Sequence, residues 1–295
     1  MPSLKEVRNR IVSVGSTMQI TSAMKMVSAA KLKRAQDAVT QMRPYANKLK
    51  EIIENVSLNS GGDQNEFSKV KSGKNVLIIA VSSNRGLAGA FNANIIKRVH
   101  SLIKNDYQGY MITVLPVGKK VHDAFRKTEY LVNGMDIPQN ANHLFDKLSF
   151  ESASPIIERV MEAYKNNQFD KVLLVYNQFK NAAVQITTEE QMLPIEQAKS
   201  DNSTATKTKE NYIFEPSEEE ILFHLIPLSL KTQFYKALLD SVASEHGARM
   251  TAMHKATDNA MAMQKELKIT YNKARQASIT KEILEIVGGA EALNG

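Results

Sequence analysis

At 295 residues, with 43% hydrophobic and 23% charged side chains, the chain has the makeup of a folded protein of one large or two smaller domains. It contains no Cys, which excludes disulfides, thiolate metal sites and cysteine nucleophiles, and it has no apolar run of roughly eighteen residues, the length of a membrane-spanning helix. The net charge of +7 is concentrated in residues 1–50, where ten Lys/Arg face only Glu6 and Asp37; an acidic partner surface or a nucleic acid is implied.

The opening MPSLKEVRNR has no apolar signal core and leads directly into a helical pattern, so no targeting segment is expected. Ser3 and Glu6 have the spacing of a capping box. Behind them an unbroken heptad seam runs Leu4, Val7, Ile11, Val14, Met18, Thr21, Lys25, Ser28, Leu32, Ala35, Val39, Met42, Ala46, Leu49, Ile53, Val56. Thirteen of these sixteen positions are apolar, and the three polar ones are consecutive. A seam this long is the mark of a coiled coil, with Pro44 expected to kink it because proline removes a backbone donor. Residues 57–74 are polar and rich in Gly and Ser, the composition of a linker.

The hydrophobic period then changes. Val76–Val81, Met111–Val117 and Val172–Tyr176 are short apolar runs, and helical patterns at Asn92–Lys104 and Pro155–Lys165 lie between them. This alternation predicts a mostly parallel sheet with helical crossovers; Gln185–Thr187 and Met192–Ile195 are candidates for an edge hairpin, and Glu189–Glu190 for a turn between them. Residues 199–211 are of low complexity and read as a loop. Ser217 and Glu220 repeat the capping-box spacing, Pro227 suggests a kink or a fresh helix start, and from Leu228 to Val287 only Gly247 interrupts a second helical pattern. Its apolar frame reads Met253, Ala256, Ala260, Met263, Leu267, Ala274, Ala277, Leu284.

An apolar stripe on a long helix must be buried. The nearest partner for each terminal helix is the other one. The expected fold is therefore α/β with a long antiparallel two-helix coiled coil made by both termini, at 1–57 and 213–295, and a central Rossmann-like domain at 74–212.

Motifs for chemistry are weak. SSNRGLAGAFN, residues 82–92, is a Gly-bearing strand-to-helix turn, but Gly86 and Gly89 satisfy neither the P-loop nor the dinucleotide spacing, and a tight packing turn accounts for them. His100, His122, His143, His224, His246 and His254 form no compact metal spacing. No catalytic residue, cofactor or metal is assigned. The clusters Met18/Met24/Met26 and Met250/Met253/Met261/Met263 fit either core filling or a pliable surface for a partner, and both readings stand. The basic N-terminal stretch lacks stacking aromatics, which argues against nucleic acid. A nucleotide-binding enzyme with coiled-coil arms and a basic nucleic-acid binder are the competing readings.

Three strings carry a resemblance. IVSVGSTMQITSAMKMVSAAKLKRAQ (11–36), SEHGARMTAMHKATDNA (244–260) and KARQASITKEILEIVGGAEAL (273–293) resemble the first and last helices of F-type ATP synthase gamma subunits. SSNRGLAGAFN is similar to that family's central glycine motif, with Asn84 where an Asp and Ala88 where a Cys is usual. The resemblance implies a non-catalytic rotating shaft that couples ion flow to ATP synthesis. Its partners are the alpha and beta subunits of the catalytic ring, the epsilon subunit and the c-subunit ring. It implies contacts from Met24, Lys25, Arg249, Arg275, Gln276, Thr280 and Glu282 to the ring, and an apical bearing at Ile283, Leu284, Ile286 and Val287. It further implies a rotor foot near Tyr212, and a peripheral complex on the cytoplasmic face of a bacterial inner membrane.

Overall fold

The structure, a computed structural model, describes residues 3–59, 66–133, 137–195 and 218–294. Its elements in chain order are α1 (Leu4–Asn59), β1 (Asn75–Val81), α2 (Phe91–Ser101), β2 (Met111–Val117), α3 (Lys119–Phe125), α4 (Phe150–Lys165), β3 (Lys171–Phe179), β4 (Gln185–Leu193) and α5 (Glu218–Asn294). The chain divides into two compact units: one combines the chain up to Ala29 with the chain from Arg249 on, and the other is Ala30–Ala248.

α1 holds 56 residues and α5 holds 77, which at ~1.5 Å per residue makes them roughly 84 and 115 Å long. At the start of α1 the Ser3 hydroxyl accepts the Glu6 N–H at 3.2 Å, while the Glu6 carboxylate pairs with Arg10 at 3.3 Å. Both helices carry an internal proline without ending there. Pro227 therefore does not open a new helix: α5 is already under way at Glu218, and packing of Leu222, Ile226 and Leu230 into the core holds the segment helical on both sides of the missing donor. Ser217 lies outside the described residues, so its capping role is not described.

The larger unit is built on a four-stranded sheet in the order β2-β1-β3-β4, parallel except for β4. β1 and β3 are continuous apolar runs because both faces of the sheet are covered. On one face α2 and α3 pack Ile95, Val99, Val121 and Phe125 against Ile78, Ala80, Val114 and Val175. The other face carries Leu77, Ile79, Leu174 and Tyr176. These meet α4 through Ile157 and Val160, the end of α1 through Leu49 and Ile53, and the start of α5 through Ile226, Leu230 and Phe234.

Four expectations are corrected here. The segment expected to hold a turn at Glu189–Glu190 is one nine-residue strand, β4, paired antiparallel with β3. Its two carboxylates, which look like turn residues in sequence, are held by cross-strand and helix partners: Arg98 with Glu189, and Tyr176 and Gln233 with Glu190. α4 begins at Phe150, well before Pro155, because Ser149 and Ser152 form a reciprocal cap that the sequence reading passed over. The helix expected over Asn92–Lys104 gives way at Leu102 to one wide π-type turn, Leu102–Asp106. The described part of the expected linker is docked: Phe67 is buried in the core and Lys71 donates to the Tyr164 carbonyl oxygen at 2.5 Å.

Candidate functional site

In the smaller unit the two helices run antiparallel. Thr21 and Thr257 share a hydroxyl hydrogen bond of 2.8 Å, Lys25 Nζ donates to His254 Nδ1 at 3.5 Å, and Gln264 Nε2 lies 3.1 Å from where a β-carbon on Gly15 would stand. Numbers rise along one helix as they fall along the other. On α1 every seam position from Leu4 to Ser28 is buried or half-buried, as the heptad predicts. The three consecutive polar positions, Thr21, Lys25 and Ser28, form a polar layer, and the hydroxyls of Thr21 and Ser28 are buried in it.

On α5 the frame differs from the one read in sequence. Met253, Ala260, Leu267 and Ala274 face inward as expected, but the alternate positions are Thr257, Gln264, Tyr271 and Ser278. Met263, Thr270, Ala277 and Leu284 point outward. The apolar letters misled, because the Thr21–Thr257 bond and the fit of Gln264 over Gly15 fix which side of α5 meets α1. This also divides the methionines: Met253, 5% exposed, fills the seam, whereas Met26, 69% exposed, and Met261 and Met263 lie on the outside with Val12, Ile20 and Val27.

Beyond Ser278 α5 continues with all residues from 279 to 290 exposed. Ile283, Leu284, Ile286 and Val287 are 55–72% exposed, an apolar segment left uncovered by the described residues. Close by, Arg275, Gln276, Thr280 and Glu282 are exposed, with Thr280 Oγ1 donating to the Gln276 carbonyl at 2.9 Å and Ser278 Oγ to Glu282 at 3.4 Å. Met24 and Lys25 are half-buried, and Arg249 is 6% exposed. Tyr212 and the loop 199–211 lie outside the described residues. The structure thus gathers the α5 tip residues on one exposed length of helix and sets Arg249 in the interior.

The glycine turn after β1 behaves as a packing turn. Leu87 and Gly89 take left-handed φ values of 62° and 58°, Ser83 donates to Asn92 Oδ1, and Asn84 Oδ1 accepts the Lys119 N–H. Among the described residues no His, Asp and Glu cluster could hold a metal ion.

Sequence reasoning missed the polar contacts that tie α5 to the sheet. Arg43 Nη2 donates to Asp240 Oδ1 at 3.0 Å and to the Phe179 carbonyl at 2.9 Å. One signal was available: Asp240 follows Ala237, Leu238 and Leu239 on a buried stretch, and an acid there needs a cation. Burial pushes the Asp240 carboxyl above the ordinary carboxylate range, against the opposing pull of Arg43. A group whose pKa is higher folded than unfolded contributes stability that is complete at low pH and lost as pH rises through the folded value. Asp240→Asn removes that titration. As pH rises above the ordinary carboxylate range the wild type is expected to lose stability relative to Asp240→Asn, read from urea midpoints; parallel profiles would refute the assignment.

Comparison with known proteins gives a consistent result. The ATP synthase family profile (ATP-synt) matches residues 3–293. The chain is 58% identical to the ATP synthase gamma chain of Christiangramia forsetii and 55% identical to that of Flavobacterium psychrophilum, each over all of both chains. Among solved structures it is similar to a chain of the central stalk and c-ring of the Tetrahymena thermophila mitochondrial ATP synthase. That match has 25% identity and a TM-score of 0.57, covering 80% of this chain and 99% of that one. A chain of the Euglena gracilis mitochondrial ATP synthase in rotational state 3 shares the fold, with 21% identity, a TM-score of 0.70, and coverage of 98% and 94%.

Proposed function

We propose that this chain, which belongs to the ATP synthase gamma-chain family, turns as the axle of the rotary synthase with its paired helical ends inside the ring of alpha and beta subunits. It is the central-stalk subunit, a rotor part; the catalytic sites lie in the beta subunits. The observation that carries the reading is the antiparallel pairing of the two terminal helices, beyond which the apolar α5 tip is exposed among the described residues.

One asymmetric rod in a threefold ring touches three catalytic subunits differently and so biases them toward different conformations and affinities. Each tenfold step in affinity corresponds to about 1.4 kcal/mol of differential contact energy. Turning the rod permutes those biases. The outward methionines suit a surface that must re-pack at every step, since the thioether side chain is flexible and polarizable.

On this reading the residues exposed near the tip, Arg275, Gln276, Thr280 and Glu282, meet ring loops, and Met24 and Lys25 meet the lower part of a catalytic subunit. Ile283, Leu284, Ile286 and Val287 run in an apolar bearing. Arg249, being buried, acts by holding the rod's surface in place. The proposal also takes residues 1–57 and 213–295 as the axle and 74–212 as the body, which meets the epsilon subunit and, near Tyr212, the c-subunit ring. The F1 part of the synthase is a peripheral membrane complex, and no helix among the described residues is long and apolar enough to cross a membrane. We assign it to the cytoplasmic face of a bacterial inner membrane, in keeping with its relatives from Christiangramia and Flavobacterium.

The test is co-expression of the tagged chain with its alpha, beta and epsilon subunits. The chain alone is expected to hydrolyse no ATP, to retain the ring on the affinity column, and to be required for ATP-driven ion pumping once membranes are added. A ring that pumps equally well without it would end the proposal.

A further inference from the structure

Within the unit Ala30–Ala248, α5 presents three contacts to the β3–β4 hairpin at intervals of seven residues, at Gln233, Asp240 and Gly247. Such spacing puts them on one face. Gln233 Nε2 donates to Glu190 of β4 at 3.1 Å, and the same carboxylate accepts the Tyr176 hydroxyl of β3 at 2.5 Å. A β-carbon on Gly247 would stand 3.1 Å from the Ala182 carbonyl oxygen in the hairpin turn, so the backbones are in close contact there. Midway, the Asp240 carboxylate is wholly buried and receives Arg43 from α1, and the same guanidinium nitrogen donates to Phe179 at the end of β3. Arg43, reaching across from α1 to the middle of this line, therefore joins both helices to the sheet.

Apolar packing is non-directional, and two greasy surfaces slide or roll over each other at little cost. Hydrogen bonds weaken steeply with angle, and charge-assisted ones are the strong kind. A buried ion pair is a poor source of stability against an apolar replacement, but it fixes geometry. The three-way bond at Arg43 adds a directional, charged contact to an interface that is otherwise largely apolar apart from the Gln233–Glu190 bond.

We propose that Arg43 is a torque-bearing positioning residue: it locks α1 and α5 to the β3–β4 hairpin, so that helices and sheet turn together under load. The inference rests on the axle reading above and adds the point at which the load is passed.

The experiment uses the complete synthase in vesicles, comparing wild type with Arg43→Met, Arg43→Lys and Asp240→Asn. ATP hydrolysis is measured with the ion gradient collapsed, and ATP-driven pumping against a rising gradient. Unloaded hydrolysis of Arg43→Met is expected within about twofold of wild type. Its ratio of pumping to hydrolysis under load is expected to fall about tenfold or more, the scale of one lost charge-assisted hydrogen bond. Arg43→Lys, which keeps the charge and one donor direction, is expected to recover part of the ratio, and Asp240→Asn to fall between. A role confined to folding would lower hydrolysis and pumping in proportion and leave no dependence on load. Wild-type ratios under load in Arg43→Met overturn the proposal; if that variant does not assemble, wild-type ratios in Asp240→Asn overturn it equally. A wild-type synthase that hydrolyses but never pumps would instead refute the axle reading.

Discussion

Gly118→Val is expected to unfold the sheet domain. Gly118 joins β2 to α3 with φ 109° and ψ 141°, a backbone region closed to residues with a β-carbon. A β-carbon there would lie 2.3 Å from the Ser82 carbonyl oxygen and 2.7 Å from its hydroxyl. Neither obstacle can retreat. The Ser82 N–H is bonded to the Val117 carbonyl at 2.7 Å, its hydroxyl accepts the Val121 N–H at 3.0 Å, and the residue is 1% exposed. Backbone strain and the clash together cost about 4 kcal/mol or more, a large part of the ~5–15 kcal/mol that holds a typical domain folded. Far-UV circular dichroism in urea measures it. Gly288→Ala is the matched control: it meets nothing within 4 Å on an exposed helix, and alanine there is expected to raise stability slightly. Equal midpoints for the valine variant and wild type would mean that the junction is not as tight as described.

The chain's long-range plan was legible because it rests on periods. The sixteen-position seam of α1 is the clearest case: every position from Leu4 to Ile53 is buried or half-buried, since a stripe of that length on a helix has no alternative but to be covered. The strands β1, β2 and β3 were legible for the complementary reason, as short apolar runs covered on both faces. What failed were positions where letters and environment disagree. Glu189 and Glu190 look like a turn but sit in an edge strand, which is possible because Arg98 and the Tyr176–Gln233 pair receive their charges. Ser149 and Ser152 cap α4 without the Glu that a capping box usually shows. The residues proposed to face the ring were reached through the resemblance of the α1 and α5 strings, because exposed side chains on a helix leave no periodic trace of their own. Arg43 and Asp240, 197 positions apart, could be paired only by the fold.

The alternate frame of α5 makes the last prediction decisive. Two heptad readings share Met253, Ala260, Leu267 and Ala274 and differ only in the intervening positions, Met263 in one and Gln264 in the other. Hydrophobicity favours Met263; the structure exposes it and turns Gln264 toward Gly15. Ala260→Asp buries a carboxylate in the shared seam at a residue 8% exposed, and the antiparallel register brings it level with Met18. An unpaired charge there is expected to cost about 3 kcal/mol, and the seam is too narrow to let a short side chain reach water. Because each unit has its own packing, the loss is local: the helical signal of the paired ends melts at lower temperature, while the near-ultraviolet signal of the buried Tyr164 and Tyr176 in the sheet domain holds. Met263→Asp, three residues on, adds the same charge on the outer side and is expected to leave both transitions in place. Were Met263→Asp to lower the transition of the paired ends as far as Ala260→Asp does, the seam would run through Met263. The surface that α5 offers to its surroundings would then be turned by one helical position from the one described.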